Sequence, residues 1–227
     1  MKKNGTAVAV KTSILIVDDH PVVCQGLTRL INQQEDMEVT GQAGGVYEAM
    51  GIIRKNPPDM VVVDVSLKDA NGIELIKDVR AYNPDIPMLT LSMHDESVYA
   101  ERALRAGARG YIMKQEGTDK LVDAIRKVRA GHLYLSDKMS ARMVCKLVGS
   151  NTAEIGSSPV DRLSDRELEV FQLIGKGHRT RQIAERLHLS VKTVETYRSH
   201  IKEKLNLADA TELLQHAIQW VNATGRA

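Results

Sequence analysis

The chain has 227 residues, enough for two domains that each bury a hydrophobic core. An apolar fraction of 43% and a charged fraction of 26% are ordinary for a soluble globular protein, and the net charge of +2 is too small to indicate a nucleic-acid partner by itself. No apolar run is long enough to cross a bilayer, and the stretch 7–10 is too short for a signal peptide, so we expect no membrane attachment. Cys24 and Cys145 lack metal-ligand spacing and fall in apolar helical patterns, which predicts buried thiols in a reducing cytoplasm.

After a predicted tail at residues 1–12, the chain alternates short apolar runs with amphipathic stretches. The runs 14–17 and 60–63 are continuous, β-branched and bounded by acids, as is typical of strands buried on both faces of a parallel sheet. Weaker strand patterns lie at 39–43, 88–91 and 111–113, and helical patterns lie near 21–33, 46–55, 73–82, 96–106 and 118–130. Five strands alternating with five helices predict a doubly wound α/β domain with a five-stranded parallel sheet at 13–131.

The rest of the chain has the pattern of a linker followed by a smaller, all-α domain. Residues 132–160 hold one helical pattern, 136–148, and end in a cluster rich in glycine and serine. The signals predicted within 161–227 are a capping box of Ser164 and Glu167, a left-handed cap at Gly177, N-caps at Thr180 and Ser190, and a last helix at 210–221.

Polar side chains follow four of the five predicted strands. Asp18 and Asp19 come after the first strand, Asp64 after the third, Ser92 after the fourth and Lys114 after the fifth. Because the carboxyl ends of parallel strands line one crevice, we expect these five side chains to converge. Each alone has an ordinary interpretation, such as a solvated turn or a surface lysine, so the combination at the strand ends is what indicates a site.

The residue types at this crevice predict phosphoryl-transfer chemistry. Three crowded carboxylates repel one another unless a cation lies between them, and hard oxygen ligands in that number suit Mg²⁺. A carboxylate beside Mg²⁺ is able to attack phosphorus, while a lysine neutralises the transferred group and a hydroxyl bonds one of its oxygens.

The first half of the chain resembles the receiver domain of response regulators, which has a flavodoxin-like fold. The resemblance is carried by residues 14–20, 63–65 with 71–75, 91–92, and 106–111 with Lys114. It implies that Asp64 is the phosphoacceptor. It also implies that Asp19, Asp64 and the backbone carbonyl of Ser66 bind Mg²⁺ directly, with Asp18 acting through water.

The same resemblance implies roles for three further residues. Ser92 would be the switch hydroxyl, Lys114 the counter-ion of the phosphoryl group, and Tyr111 an aromatic side chain that moves inward on activation. For Tyr111, an ordinary tyrosine on an edge strand remains the alternative. The chain departs from the receiver pattern at Lys68 and Gln115, where many receivers have proline, so the loop at Lys68 is predicted to be less rigid.

Residues 163–207 resemble the LuxR/NarL-type helix-turn-helix, and with the receiver they give the domain order of NarL/FixJ response regulators. Residues 163–167, 183–187, 192–197 and 204–205 carry this second resemblance. Between positions 176 and 204 there are eight basic residues and three acidic ones. Such an excess is expected where DNA phosphates are bound.

One face of the predicted 190–205 helix is assigned to double-stranded DNA. Val191, Val194, Ile201 and Leu205 are predicted to pack inward. Base edges are assigned to Glu195, Thr196 and Ser199, and phosphates to Lys192, Arg198 and Lys202, with a solvated charged face as the alternative. In the last helix, the apolar residues are predicted to pack in the core or to form a two-fold interface; they are Leu213, Leu214, Ala217 and Ile218.

The two resemblances together imply a phosphorylation-controlled transcription regulator. A histidine kinase or a phosphotransfer protein would phosphorylate Asp64, and a homodimer would then bind DNA; no enzymatic activity is predicted apart from self-dephosphorylation. Two other classes stay open, a Mg²⁺-dependent phosphohydrolase and a DNA-binding protein whose receiver no longer responds. The attached helix-turn-helix argues against the first, and the retained polar set argues against the second.

Overall fold

The structure is a computed structural model, and it describes residues 11–67, 71–147 and 159–224. The strands are β1 (Thr12–Val17), β2 (Met37–Ala43), β3 (Met60–Asp64), β4 (Met88–Ser92) and β5 (Gly110–Met113). They form one fully parallel sheet in the order β2-β1-β3-β4-β5. The strand order reverses between β1 and β3, and the crevice at such a switch point is where open α/β sheets bind ligands. The predicted doubly wound five-stranded sheet is confirmed.

Helices pack on both faces of this sheet. They are α1 (Pro21–Asn32), α2 (Val46–Lys55), α3 (Gly72–Tyr82), α4 (Glu96–Ala106) and α5 (Thr118–Arg129). One core cluster joins Ile14 and Val62 of the sheet to Ile31 of α1 and to Ile125 and Val128 of α5. Because successive strand residues point to opposite faces, the continuous apolar runs of β1 and β3 are buried on both sides.

Two of the strands, β1 and β2, begin two residues earlier than their sequence patterns indicate. β1 includes Thr12, which lies in the predicted tail, and β2 begins at Met37 instead of residue 39. Thr12 pairs with Met37, and its backbone N–H donates to the carbonyl of Asp36. These pairings are made across the sheet, so no local pattern reveals them. Residues 1–10 of the predicted tail, the loop at Lys68 and residues 148–158 of the predicted linker lie outside the described residues.

The second part of the structure is helical. A short 3₁₀ turn, Pro159–Arg162, precedes the last four helices, and the helices of this part are α6 (Asp137–Leu147), α7 (Asp165–Gly175), α8 (Thr180–Arg186), α9 (Val191–Leu205) and α10 (Ala210–Thr224). The capping box of α7 is confirmed: Ser164 Oγ accepts the Glu167 N–H at 3.3 Å, and Glu167 Oε2 accepts the Ser164 N–H at 2.7 Å. Gly177 has the left-handed conformation, with a φ of 84°.

The N-cap of α8 is not Thr180, as predicted, but the residue before it. Arg179 occupies the N-cap position, and its backbone N–H donates to Gln182 Oε1 at 2.9 Å. Ser190 caps α9 as predicted, since its Oγ accepts the Thr193 N–H at 3.0 Å. The hydroxyl of Thr180 is therefore not used as a cap.

The chain divides into two compact units that differ slightly from the predicted domains. One unit comprises the residues up to His94 together with Ala100–Leu135, and the other comprises Asp95–Tyr99 together with the residues from Ser136 on. Both cysteines lie in described segments and form no disulfide. Cys24 is buried as predicted, but the prediction of a buried Cys145 is wrong, because this side chain lies on the exposed side of α6.

Candidate functional site

Four acidic or imidazole side chains meet at the carboxyl ends of β1 and β3. Asp18, Asp19 and His20 directly follow β1, and Asp64 is the last residue of β3. Their possible ligand atoms lie within 4.8 Å of one another. Asp18 and Asp64 are both only 3% exposed, so two carboxylates of this cluster are held away from solvent. The adjacency of β1 and β3 in the sheet produces this convergence.

Lys114 is the cation of the cluster. It follows β5, and its Nζ lies 2.6 Å from Asp64 Oδ2 and 2.6 Å from Asp18 Oδ2. Burial works against its charged form, but the neighbouring carboxylates outweigh burial and raise the pKa of the Lys114 ammonium above its ordinary value. The ammonium therefore stays charged at neutral pH, in direct contact with the predicted phosphoacceptor.

Asp64 is a carboxylate whose charge is costly in this position. Burial raises the pKa of its carboxyl to about 6, even though Lys114 and the N–H of Ser66 stabilise the charged form; Asp18 adds to the rise. A group with this pKa is mostly ionised at neutral pH but responds strongly to any added charge. Such a perturbed carboxylate at a sheet switch point marks a candidate functional residue.

The donor set fits a hard divalent cation. Among the described residues, Asp18 Oδ2 and Asp19 Oδ1 are buried oxygens without a hydrogen bond of good geometry. Nearby nitrogen atoms only partly compensate: Lys114 Nζ lies beside the first oxygen, and His20 Nδ1 lies 2.7 Å from the second. Three carboxylates beside one ammonium leave uncompensated negative charge, and oxygen-rich sites of this kind suit Mg²⁺.

The predicted switch residues are linked to each other through His94. Ser92 Oγ is fully buried and accepts the His94 N–H at 3.1 Å. Tyr111 is 1% exposed, and its hydroxyl donates to the His94 carbonyl at 2.8 Å. The ring Nε2 of His94 lies 2.8 Å from Ser66 Oγ, which joins the loops after β3 and β4. Tyr111 is thus an inward-facing tyrosine on the edge strand.

Sequence reasoning missed the two histidines of this site. His20 and His94 occupy the loops that follow β1 and β4, within two residues of the predicted site residues Asp19 and Ser92. Their position at the carboxyl ends of strands is the signal that was available. Which atoms they contact depends on loop conformation, and a strand pattern does not predict that.

The helix-turn-helix presents most of the predicted DNA-facing residues to solvent. Lys192, Glu195, Thr196 and Ser199 are exposed, and Arg198 and Lys202 are partly exposed. Val194, Ile201 and Leu205 are buried as predicted. The inward prediction for Val191 is wrong, because it is the first residue of α9 and is 49% exposed there.

Two of the DNA-facing side chains have contacts within their own unit. Thr196 Oγ1 donates to the carbonyl of Lys192 at 3.0 Å, so its oxygen is left as an acceptor. Arg198 Nη1 donates to Thr180 Oγ1 at 3.3 Å, and Arg198 Nε lies 3.8 Å from Glu195 Oε2. The contact with Thr180 joins the middle of α9 to the start of α8, and the other two contacts lie within α9.

The last helix, α10, divides its apolar residues between two environments. Leu213 and Ala217 are fully buried, and Trp220 packs against Phe171 of α7 with a ring separation of 5.7 Å. Leu214 and Ile218 are 40% and 39% exposed. Core packing thus accounts for only one side of the helix. Among the described residues, no helix has the length and apolar character required to traverse a bilayer.

A parallel α/β unit with an acidic crevice and a lysine, together with a helix-turn-helix unit, defines a regulator with a receiver and a DNA-binding domain. Comparison with protein families agrees: residues 14–126 match the response regulator receiver domain, and residues 161–217 match the bacterial regulatory proteins of the LuxR family. The chain belongs to the response regulators that combine these two domains.

Whole-length relatives share this organisation. The chain is 38% identical over 210 residues to the oxygen regulatory protein NreC of Staphylococcus carnosus, covering 91% of this chain and 96% of the relative. It is 34% identical over 206 residues to the response regulator GacA of Pseudomonas aeruginosa, covering 91% and 95%. The protein is therefore a two-component transcription regulator.

Solved structures show the same fold. A LuxR-family response regulator from Aurantimonas has 33% sequence identity and a TM-score of 0.57, covering 61% of this chain and 99% of that one. RcsB from Salmonella enterica serovar Typhimurium, solved on promoter rprA with the phosphomimetic BeF₃⁻, has 23% identity and a TM-score of 0.59, covering 92% and 98%. At that identity RcsB supports the fold alone.

Proposed function

We propose that Asp64 of this protein accepts a phosphoryl group and thereby controls the binding of DNA by α9. The observation that carries the proposal is the position of Asp64: it is buried at the switch point, and it contacts an ammonium while lying beside two further carboxylates. A buried aspartate beside other carboxylates destabilises the fold, so a purely structural role does not explain it. A phosphoacceptor, in contrast, requires an ammonium and further carboxylates beside it.

The Mg²⁺ ion expected for receivers is assigned to the acidic cluster. Asp19, Asp64 and the backbone carbonyl of Ser66 are the proposed direct ligands, and Asp18 is proposed to act through a bound water. When bound, Mg²⁺ would supply positive charge that offsets the carboxylates and the oxygens of the incoming phosphoryl group.

The protein side chains perform the transfer. An Asp64 carboxylate oxygen attacks phosphorus of a phosphohistidine, the O–P bond forms, and the N–P bond breaks to release the imidazole of the donor. Lys114 already contacts Asp64 Oδ2 and neutralises charge on a phosphoryl oxygen. Ser92 Oγ accepts its bond from His94, so its own proton is left to be donated to another phosphoryl oxygen.

The switch follows from the shared contacts of His94. A phosphoryl group on Asp64 draws Ser92, and the loop that contains His94 connects Ser92 to the hydroxyl of Tyr111. We propose that this rearrangement shifts the population of the regulator toward a form in which α9 is available to DNA. The predicted domain limits, 13–131 and 161–227 with a linker at 132–160, are retained as part of this proposal.

DNA recognition is assigned to the exposed face of α9. Glu195, Thr196 and Ser199 are proposed to read base edges, and Lys192, Arg198 and Lys202 to contact phosphates. The exposed Leu214 and Ile218 of α10 are proposed to form a two-fold contact in the phosphorylated homodimer, which would place two helices on paired half-sites.

The partners follow from the same chemistry. A histidine kinase or a phosphotransfer protein is the proposed donor, and the cytoplasm, where DNA is available, is the proposed location. Water is proposed to hydrolyse the aspartyl phosphate slowly, which returns the protein to its resting state without making it an enzyme for an external substrate.

The experiment is a DNA-binding titration with full-length protein, with and without acetyl phosphate and Mg²⁺, at several salt concentrations. We expect acetyl phosphate to tighten binding by the wild type by at least about tenfold, a coupling of the usual allosteric size. Asp64→Asn is expected to show no response, and Asp78→Asn, at an exposed aspartate of α3, is expected to respond like the wild type. An equal response of Asp64→Asn and the wild type would contradict the proposal.

A further inference from the structure

Thr180 has a role in this fold that its sequence position does not indicate. It is the first residue of α8, yet its hydroxyl does not cap the helix, because Arg179 occupies the N-cap position and bonds to Gln182. Instead, Thr180 Oγ1 accepts a hydrogen bond from Arg198 Nη1 at 3.3 Å. This bond spans 18 positions of the sequence and connects the start of α8 to the middle of α9.

The Arg198 side chain is held on two sides. Thr180 binds one guanidinium nitrogen, and the carboxylate of Glu195 lies 3.8 Å from Nε. Only 20% of the Arg198 side chain is exposed, compared with 85% for Arg181, whose partner Glu185 is on its own helix. A guanidinium has five N–H donors, so these contacts leave donors for a further acceptor.

We propose that Thr180 is a positioning residue for DNA binding, which acts by pre-ordering Arg198 for a backbone phosphate. This inference rests on the proposed function, in which Arg198 contacts phosphate, and it assigns the residue that makes that contact effective. A flexible arginine loses rotamer freedom when it binds phosphate, whereas an arginine already fixed by Thr180 loses less. The smaller loss of conformational entropy by Arg198 strengthens binding to any duplex, because phosphate contacts are independent of base sequence.

The test is a double-mutant cycle on the full-length protein, in acetyl phosphate and Mg²⁺, with a mixed-sequence duplex as the probe. Thr180→Val removes the hydroxyl but keeps the branched shape, and Thr180→Ser keeps the hydroxyl but removes the methyl group. Arg198→Gln removes the charge. Thr211→Val is the matched control, since Thr211 is an exposed threonine in the first turn of α10.

We expect Thr180→Val to weaken duplex binding about three- to tenfold, the size of one ordered side chain, with Thr180→Ser and Thr211→Val close to the wild type. The slope of log affinity against log salt should stay unchanged in Thr180→Val and fall by about one in Arg198→Gln. In the Arg198→Gln background, Thr180→Val should have no further effect, because the side chain that it positions is gone.

Three results would overturn the inference. The first is a Thr180→Val protein that binds as tightly as the wild type. The second is an effect of Thr180→Val on affinity that is equal in the presence and absence of Arg198. The third is a Thr180→Ser protein that binds as weakly as Thr180→Val. Unfolding followed by fluorescence of Trp220, the single tryptophan, shows whether each variant is folded. Absence of duplex binding by the wild type would contradict the proposed function itself, and it is distinguished from the other results because no variant is needed to observe it.

Discussion

The Asp64 carboxylate is almost completely buried, so its negative charge lowers the stability of the unphosphorylated fold. Its pKa of about 6 lies above the ordinary 3.8, because burial outweighs the stabilising contact with Lys114. The folded state therefore binds the proton more tightly than the unfolded chain does. Without a divalent cation, the contribution of Asp64 to the free energy of unfolding is therefore most favourable at acidic pH. It is lost as the pH rises from about 4 through about 6.

Asp64→Asn is accordingly expected to stabilise the metal-free protein at neutral pH. A pKa displaced by roughly two units corresponds to about 3 kcal/mol at most, and this figure already includes the stabilising contact with Lys114. The measurement is urea unfolding in EDTA at several pH values. The advantage over the wild type should shrink below pH 6. Asp85→Asn, at an exposed aspartate, should show no such advantage, and a destabilised Asp64→Asn at neutral pH would contradict this account of Asp64.

Lys114 contacts Asp18 and Asp64, two carboxylates of the cluster to which we assign Mg²⁺, so under the proposed function it competes with that ion. Lys114→Met removes the ammonium that contacts Asp18 and Asp64, so we expect Mg²⁺ to bind about tenfold more tightly while the response to acetyl phosphate is lost. Calorimetric titration with Mg²⁺ measures the first effect. Lys120→Met is the matched control, because Lys120 pairs with Glu116 at the surface. Weaker binding of Mg²⁺ by Lys114→Met would show that the lysine assists the cation site.

The sequence predicts the residues of the phosphoryl site better than it predicts their contacts. Asp18, Asp64 and Lys114 are placed by strand ends, and strand ends have a clear signal in the hydrophobic pattern. The bond between His94 and Ser66 was not foreseen, because it forms between two loops that are 28 residues apart. Thr180 was assigned to a cap on local pattern alone, although a tertiary contact with Arg198 uses its hydroxyl.

At the scale of elements, the start of α3 is fixed by a close backbone approach. A Cβ on Gly72 would lie 1.8 Å from the carbonyl oxygen of Asp64, so only glycine allows this packing. We expect Gly72→Ala to destabilise the protein by about 3 kcal/mol or more, and to displace the end of β3, where Asp64 lies. Gly51→Ala, in the interior of α2 with open space around it, should instead stabilise by about 0.5–1 kcal/mol. Equal stabilities for the two variants, measured by urea unfolding, would contradict the prediction.

Glu167 joins two helices of the DNA-binding unit. It completes the capping box of α7, and its Oε2 lies 2.6 Å from Lys204 Nζ near the end of α9. Burial works against its charge, but the bonds from Lys204 and Ser164 prevail and lower the pKa of the Glu167 carboxyl. Its contribution to stability is thus present above the ordinary value of 4.5 and is lost as the pH falls through the lowered pKa.

Glu167→Gln is expected to destabilise the DNA-binding unit by about 1–2 kcal/mol at neutral pH, because the ion pair between the buried Glu167 carboxylate and the partly exposed Lys204 ammonium is broken. Unfolding followed by Trp220 fluorescence reports this unit, since Trp220 packs on Phe171 of α7. Glu203→Gln, at an exposed glutamate of α9, is the control. A difference from the wild type that persists unchanged well below pH 4 would exclude the ion pair as its cause.

Helices and strands with strong periodicity were predicted to within a few residues, and the errors have physical reasons. α9 follows Ser190 and ends at Leu205 as predicted, because Ser190 gives a local N-cap signal; Asn206 has the left-handed conformation at its C-cap. β1 and β2 extend beyond their patterns because pairing between them adds residues at their starts. Burial on α6 was mispredicted because an apolar pattern does not determine what covers a helix, and Val144 and Cys145 remain exposed there.

For the whole molecule, the two units divide the chemistry between them. The receiver unit concentrates buried carboxylates at one crevice, while the helix-turn-helix segment 176–204 has an excess of basic residues. A net charge of only +2 hides this division, so composition alone gave no indication of a DNA partner. The order of the motifs along the chain indicated the class of protein. The match to the relative NreC extends over 96% of that protein.

The central claim is that Asp64 is the phosphoacceptor, and the intact mass of the protein after incubation with acetyl phosphate and Mg²⁺ tests it most directly. We expect the wild type to gain the mass of one phosphoryl group, and to gain nothing when EDTA replaces Mg²⁺. Asp64→Asn should gain nothing under either condition, while Asp78→Asn should match the wild type. A phosphoryl group on Asp64→Asn, or none on the wild type with any phosphodonor, would contradict the account.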